Sequence, residues 1–369
     1  MKSFLEFFAG GGLARLGLGA GWRAVLANDK DPMKCAAYRA NFGGEALIEG
    51  DIAALTAADI PRADLAWASF PCQDLSLAGA RAGLKGARSG LFFAFWRLLE
   101  ALGEERRPPV VVIENVVGLL TSNKGADFRA IVEAMARAGC RVSALVVNAK
   151  HFTPQSRPRL FIFGFGAGSS PLFAPRPKAS ETTPQALLDA ADLLPASCAA
   201  AWRWLGARPE TRRNTRLADL VDLETPAWRA DLGEAALSMM SARQRAAVDA
   251  LLLKGGRHVG AAFRRIRTEN GRRAQRLEAR FDGLAGCLRT PAGGSSRQML
   301  LLIDGGEVKA RLLSPREAAR LMGLPDDYVL PARASAALKL CGDGVAAPVV
   351  RWIAEAVIEP ALAKKAEAA

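Results

Sequence analysis

From Ser3 to about Gly166 the chain alternates short runs of strand-forming residues with segments whose apolar positions recur at helical spacing. That alternation predicts an α/β unit whose parallel strands are linked by crossover helices. Strands are expected over residues 4–8, 24–28, 65–69, 110–114, 142–148 and 160–165, with a further one ending near Gly50. Phe128, Ile131, Val132 and Met135 line one face of a helix that stops near Gly139, so each strand has a crossover available. After Gly166 the pattern dissolves into a Gly-Ser-Ser-Pro stretch, then Pro175, Pro177, Pro184 and Pro195, then a segment dense in Trp and Arg. A domain boundary is expected near residue 167. Regularity returns at residues 300–303 and in a helix opened by Ser314-Pro315-Arg316-Glu317, where Ser314 caps, Pro315 takes the first helical position and Glu317 closes a capping box. A last helix is expected over residues 345–363, and no internal repeat is evident.

With 369 residues, half of them apolar, the chain buries a substantial core and two globular units are expected. Its most apolar stretch, residues 110–120, is broken by Glu114 and Asn115, so no run reaches the roughly 18 residues of a membrane helix. Glu6 and Arg15 interrupt the apolar N-terminus, which argues against a secretion signal. The net charge of +13 and a pI near 9.9 point to a polyanionic partner, nucleic acid first. Six widely spaced cysteines, none in a CxxC pair, suggest neither a zinc site nor a disulfide framework and place the chain in a reducing cytoplasm. With only His151 and His258, a His-rich metal site or a Ser-His-Asp arrangement is disfavoured, and catalysis must rest on other groups.

The chemistry gathers at predicted strand ends. The first strand runs into Ala9-Gly10-Gly11-Gly12, where glycines let backbone approach a ligand, although Arg15 stands where a dinucleotide motif would carry its third glycine. Asn28-Asp29 ends the second strand and Asp51 follows the third, a placement suited to a nucleoside-bearing cofactor. Beyond the fourth lies Phe70-Pro71-Cys72-Gln73, then a glycine-rich loop whose Arg81, Lys85 and Arg88 favour a thiolate. The next strand delivers Glu114-Asn115, a carboxylate that needs a partner or a functional reason. Gln155-Ser156-Arg157-Pro158-Arg159 sets two guanidiniums before a further strand.

Taken in order, these segments resemble the motifs of the AdoMet-dependent DNA (cytosine-5)-methyltransferases, bacterial type. Phe8-Ala9-Gly10-Gly11-Gly12 resembles the cofactor loop; Asn28-Asp29 and Gly50-Asp51-Ile52 resemble the ribose and adenine contacts. Pro71-Cys72-Gln73 with Ser76 and Gly79 resembles the nucleophile motif, Glu114-Asn115-Val116 the glutamate motif and Gln155 to Arg159 the QxRxR motif. Arg311 to Gly323 and Gly342-Asp343-Gly344-Val345 resemble the two late motifs, so the likeness spans nearly the whole chain. Two departures stand out: Asp29 and Lys30 occupy positions where the family usually carries Glu and a bulky aromatic, and Asp343 stands where it carries Asn.

The resemblance implies a Rossmann-like, mostly parallel sheet (residues 1–166 plus 300–369) with an inserted smaller target-recognition domain (167–299). It implies S-adenosyl-L-methionine held by Phe8, Ala9, Gly10, Gly12, Leu13, Asp29, Asp51, Ile52, Pro71, Asp343 and Val345. Cys72 would add to C6 of a flipped cytosine, Glu114 would bind its N3 and N4 edge, Arg159 its O2, and Arg157 would brace the loop. Gln73, Ser76, Arg81, Arg88 and Gln155 would meet DNA. Within the recognition region Arg264, Arg265, Arg267, Arg272, Arg273, Arg276 and Arg280 cluster with only Glu269 and Glu278 nearby, a surface suited to phosphates and guanines. Trp202, Trp204 and Trp228 read as local core. The implied partner is double-stranded DNA, met by a monomer, with any cognate restriction endonuclease acting separately. The tRNA-methylating branch shares Pro-Cys-Gln but carries a Cys-Phe-Thr signature that this chain lacks.

Overall fold

The computed structural model describes residues 1–71, 90–211, 213–269, 271–290 and 297–363, leaving aside the side chains of residues 269 and 272. Cys72, Gln73, Ser76, Arg81 and Arg88 lie outside the described residues.

Seven strands, β1 (Lys2–Phe7), β2 (Trp22–Asp29), β3 (Leu47–Glu49), β4 (Leu65–Ala68), β5 (Val110–Asn115), β6 (Arg141–Asn148) and β7 (Pro158–Phe165), form one sheet in the order β3-β2-β1-β4-β5-β7-β6. The first five pair in parallel, as the alternation predicts. The last two correct that picture: β7 is antiparallel to both β5 and β6. A parallel return needs a dozen or more residues, and the link 149–157 is shorter than that, so the chain has to reverse. The unbroken Val110–Ile113 run is fully buried, as expected of a strand covered on both faces.

Helix α1 (Leu13–Leu18) follows β1, and α2 (Pro32–Phe42) follows β2, capped by Asp31. Helix α3 (Gly90–Ala101), not foreseen from the sequence, buries Phe92, Phe95, Trp96, Leu98 and Leu99, with Phe95 edge-on to Phe7 at 5.1 Å. Helix α4 (Ala126–Arg137) buries Phe128, Ile131, Val132 and Met135, the face expected of it. The expected C-terminal helix belongs to the same unit as this sheet, and its first turns (Ala347–Ile353) lie against α1 at Gly17.

The described residues divide into two compact units, one from 1–148, 158–210 and 345 onward, the other from 149–157 and 211–344. These limits differ from the expected 167 and 300. The pattern break near residue 167 reads as a domain boundary, yet Val142 N–H donates to Ala201 O (2.9 Å), Arg203 N–H to Val142 O (2.8 Å), and Trp202 packs on Phe128. Hydrogen bonds to β6 therefore hold residues beyond 167 to the first unit, together with the small pair β8 (Phe173–Ala174) and β9 (Trp204–Leu205).

In the second unit β10 (His258–Glu269), β11 (Arg272–Arg280), β12 (Met299–Asp304) and β13 (Glu307–Leu312) form an antiparallel sheet ordered β11-β10-β12-β13. Residues 300–303 thus pair with β10 and β13, not with the large sheet. Leu277, Met299, Leu301 and Ile303 pack with Ala236 and Val248 from two preceding helices. The capping box predicted at Ser314 is present: Ser314 Oγ accepts from Glu317 N–H, and Glu317 Oε2 accepts from Ser314 N–H at 2.9 Å. Glu317 also takes Arg311 into a buried ion pair, and Arg311 lies over the Trp228 ring at 4.4 Å. Among the described residues no helix is long and apolar enough to cross a membrane.

A β-carbon on Gly17 would lie 2.5 Å from the Ala347 carbonyl oxygen and 2.6 Å from Val350 Cβ. Gly17→Val should therefore destabilise the fold by about 1–3 kcal/mol. Gly21→Ala, whose β-carbon meets nothing within 4 Å, is the matched control. Thermal unfolding of both checks this: equal Tm values would refute the helix contact.

Candidate active site

The site is built where the first strands end. Phe8, Gly10 and Gly12 all have positive φ (57°, 58° and 77°), giving a tight turn between β1 and α1. A side chain at Gly12 would be strained there and its β-carbon would meet the Phe42 ring at 2.5 Å, so glycine is required. The turn is tied to its neighbour strand. Ala9 N–H donates to Asn28 O at 2.9 Å, and Gly10 N–H donates to Asp29 Oδ2 at 2.8 Å. Asp29 Oδ1 accepts from Asp31 N–H at 2.8 Å, while the Asn28 amide donates to Ile48 O and Gly50 O, fixing β3. The short acid at position 29 thus orders the glycine turn itself. Asp51 caps the turn carrying buried Ile52 and pairs with Lys30 across 3.8 Å, so the departure from an aromatic places an ion pair at this edge. Leu13 and Ala9 are buried, and Pro71 is exposed.

Sequence reasoning treated Glu6 only as an interruption in an apolar stretch. The structure buries it to 2 % exposure behind the turn: Oε1 accepts from Arg15 N–H at 3.3 Å, and Oε2 has no partner among the described residues. The available signal was an acid flanked on both sides by apolar strand residues. Burial pushes its pKa up to about 8, and the Asp29 charge adds to this; hydrogen bonding and charge from Arg15 oppose it. An orphaned buried oxygen, two left-handed glycines and Asp51 together fit a nucleoside-bearing group such as S-adenosyl-L-methionine.

The second half of the site is an acid and a guanidinium. The Glu114 carboxylate at the end of β5 meets Arg159 Nε at 3.2 Å, with side chains only 7 % and 14 % exposed. Because β7 runs antiparallel to β5, its first residues lie at the edge where the parallel strands end, Asn115 opposite Leu160. Asn115 Nδ2 donates to Phe70 O at 3.2 Å and so ties the close of β4, two residues before Cys72, to the close of β5.

Other expected site residues fall elsewhere. Gln155, expected to meet DNA, is fully buried: Nε2 donates to Leu321 O (2.9 Å) and Oε1 accepts from Leu288 N–H (3.1 Å). A polar group this far inside is committed to backbone and does not face a ligand. Arg157, grouped with the catalytic residues, donates to Leu288 O, Gly342 O and Gly344 O at 2.7–2.9 Å. It is a brace, the part of its expected role that the geometry supports. Asp343 ends a helix of the second unit and accepts from Thr290 Oγ1; Val345 is buried in the first unit. Arg264 and Arg265 alternate along β10, Arg273 is exposed on β11, and the Arg272 side chain lies outside the described residues. Trp202 is buried against Phe128 and Trp204, as local core.

The Glu6 shift fixes a sign. Between its ordinary 4.5 and about 8 the unfolded chain loses a proton that the folded chain keeps, so stability falls as pH rises through this window and levels off above it. Glu6→Gln should therefore gain stability over the parent, on the order of 2–4 kcal/mol more at pH 8.5 than at pH 5. Urea unfolding at the two pH values checks this, and a pH-independent difference would refute it.

The family model for C-5 cytosine-specific DNA methylase matches residues 2–359. The type II methyltransferase M1.ScrFI of Lactococcus lactis subsp. cremoris is 28% identical over 358 residues, covering 96% of this chain and 77% of that one. M.NlaX of Neisseria lactamica, also a type II methyltransferase, is 28% identical over 359 residues, covering 96% of each chain. Among solved structures, the Dnmt2 methyltransferase of S. pombe shares the fold with a TM-score of 0.58 at 18% identity, over 98% of this chain and 99% of that one. With the family model matched across nearly its whole length, the chain belongs to the C-5 cytosine-specific DNA methylases and is a DNA (cytosine-5)-methyltransferase.

Proposed function

We propose that this chain methylates C5 of a cytosine flipped out of a short sequence in double-stranded DNA, through a covalent bond between Cys72 and C6, with S-adenosyl-L-methionine as methyl donor. The observation that carries this reading is the nearly buried Glu114–Arg159 pair at the carboxyl edge of the sheet, one strand from the segment that leads to Cys72. A buried carboxylate and guanidinium that hold each other in place form a rigid edge able to bind a polar ring.

Cytosine C5 is a weak nucleophile. Addition of the Cys72 thiolate to C6 moves an electron pair onto C5, while Glu114 binds N3 and the N4 amino group of the ring and Arg159 holds O2. The cofactor, when bound, would supply an electrophilic methyl group to C5, the electron pair of the broken carbon–sulfur bond staying on the sulfonium sulfur as it becomes a neutral thioether. A base, acting through water, then removes the C5 proton; the electron pair returns to form the C5–C6 double bond and Cys72 leaves. Stacking shields C6 in a duplex, so the base has to be extruded, at a cost of a few kcal/mol. Gly10, Gly12, Asp29, Asp51 and Ile52 would hold the cofactor. Arg157 would keep the segment before β7 in register by binding three carbonyls. The recognised sequence is read by the second unit, in the manner of a restriction-modification methyltransferase.

Base-resolution mapping of 5-methylcytosine in DNA from a methylation-free host expressing this chain tests the reading. Methylation confined to one short motif and absent with Cys72→Ala is the expected result; methylation that survives Cys72→Ala would overturn the covalent step. Glu114→Gln should keep cofactor binding and lose about 100-fold or more in turnover. Calorimetric titration with the cofactor and single-turnover methylation separate the two effects.

A further inference from the structure

Strand β10 is longer than its partner β12: the two pair only over residues 258–262 of β10. Among the described residues, β10 from Phe263 onward pairs with β11 alone, with Phe263 opposite Glu278 and Glu269 opposite Arg272. Among the described residues, 263–269 and 272–278 therefore form a two-stranded arm beyond the pairing with β12, about 20 Å long at strand rise. Residues directly opposite across an antiparallel pair share a face. One face of the arm carries Phe263, Arg265, Arg267, Ala274, Arg276 and Glu278; the other carries Arg264, Ile266, Thr268, Arg273, Gln275 and Leu277. Leu277 is buried in the unit's core, whereas Ile266 is 55% exposed, so the arm is rooted at its base and open toward its tip.

Among the described side chains, the first of these faces is organised around Glu278. The Glu278 carboxylate holds two guanidiniums, Arg265 Nε at 3.1 Å and Arg267 through its other oxygen. Arg265 also lies over the Phe263 ring, 4.5 Å from its centroid. A surface meant only to gather phosphates would be weakened by a carboxylate at its centre. A carboxylate that fixes two arginines side by side, one of them stacked on an aromatic ring, costs general affinity and gives direction, which is what bidentate reading of a base edge requires.

We propose that the arm enters the major groove of the DNA duplex and that Glu278 is a specificity-determining positioning residue, holding Arg265 and Arg267 in the orientation that reads guanine O6 and N7. The major groove admits a two-stranded ribbon, and arginine on guanine is its commonest specific contact. This inference rests on the reading of duplex DNA as substrate. Charge complementarity supports the partner: residues 263–278 contain six arginines and two glutamates.

The test is methylation mapping on duplex DNA with the full-length parent, Glu278→Gln, and Arg265→Lys with Arg267→Lys, beside binding to cognate and unrelated duplexes at several salt concentrations. Glu278→Gln should broaden the methylated motif, and tighten binding to unrelated DNA with a steeper salt slope, by about one. The lysine variant keeps the charge but loses the fork, and should lose roughly ten- to a hundred-fold in discrimination at guanine positions while binding unrelated DNA as before. A purely structural role would lower Tm and leave the motif alone. If the parent methylates one motif and both variants methylate the same motif with unchanged discrimination, the inference fails. If the parent itself leaves duplex DNA unmethylated, the proposed function fails instead.

Discussion

The Glu114–Arg159 ion pair depends on a reversal of the chain. Neither side chain is exposed enough for water to carry its charge, and a lone charge of either sign in that position would be strongly unfavourable. The two are neighbours only because β7 inserts antiparallel between β5 and β6, bringing its amino end to the edge where the parallel strands finish. A parallel β7 would carry Arg159 to the opposite edge. The short link after β6 excludes that arrangement, so a constraint on loop length sets the electrostatics of the site. Asn115, one residue past Glu114, extends the same edge by binding the Phe70 carbonyl and aligning the segment that leads to Cys72.

The glycine turn obeys a similar logic with smaller forces. Three residues with positive φ and the close seat of Phe42 beneath Gly12 leave little freedom, and hydrogen bonds from β2 take up the remainder. Asp29 is short enough to bind the main chain of the turn directly. Glu6 is the exception in a well-satisfied region. Its buried oxygen costs stability at neutral pH.

In the second unit, acids within an arginine-rich sequence do most of the organising. Glu317 closes a helix cap and neutralises Arg311 inside the core, while Glu278 gathers Arg265 and Arg267 on the solvent side of an arm. The net positive charge gives affinity for a polyanion. The placement of a few carboxylates turns part of that affinity into geometry.

Much of this was legible in the chain. Strand positions of the large sheet, the helix carrying Phe128 and Met135, the Ser314 capping box, the glycine turn and the acids at successive strand ends all follow from local patterns, because each is decided by residues a few positions apart. What distant contacts decide was not legible. The direction of β7, the burial of Gln155, the bracing by Arg157, and the attachment of the Pro-rich segment to the first unit rest on partners far along the sequence. So does the arginine cluster, a row of charges in sequence that pairing of β10 with β11 sorts onto two faces. The sequence by itself determined which chemical groups the protein carries and the elements they sit on; tertiary structure decided which of them meet, since burial and strand direction are properties of the whole sheet.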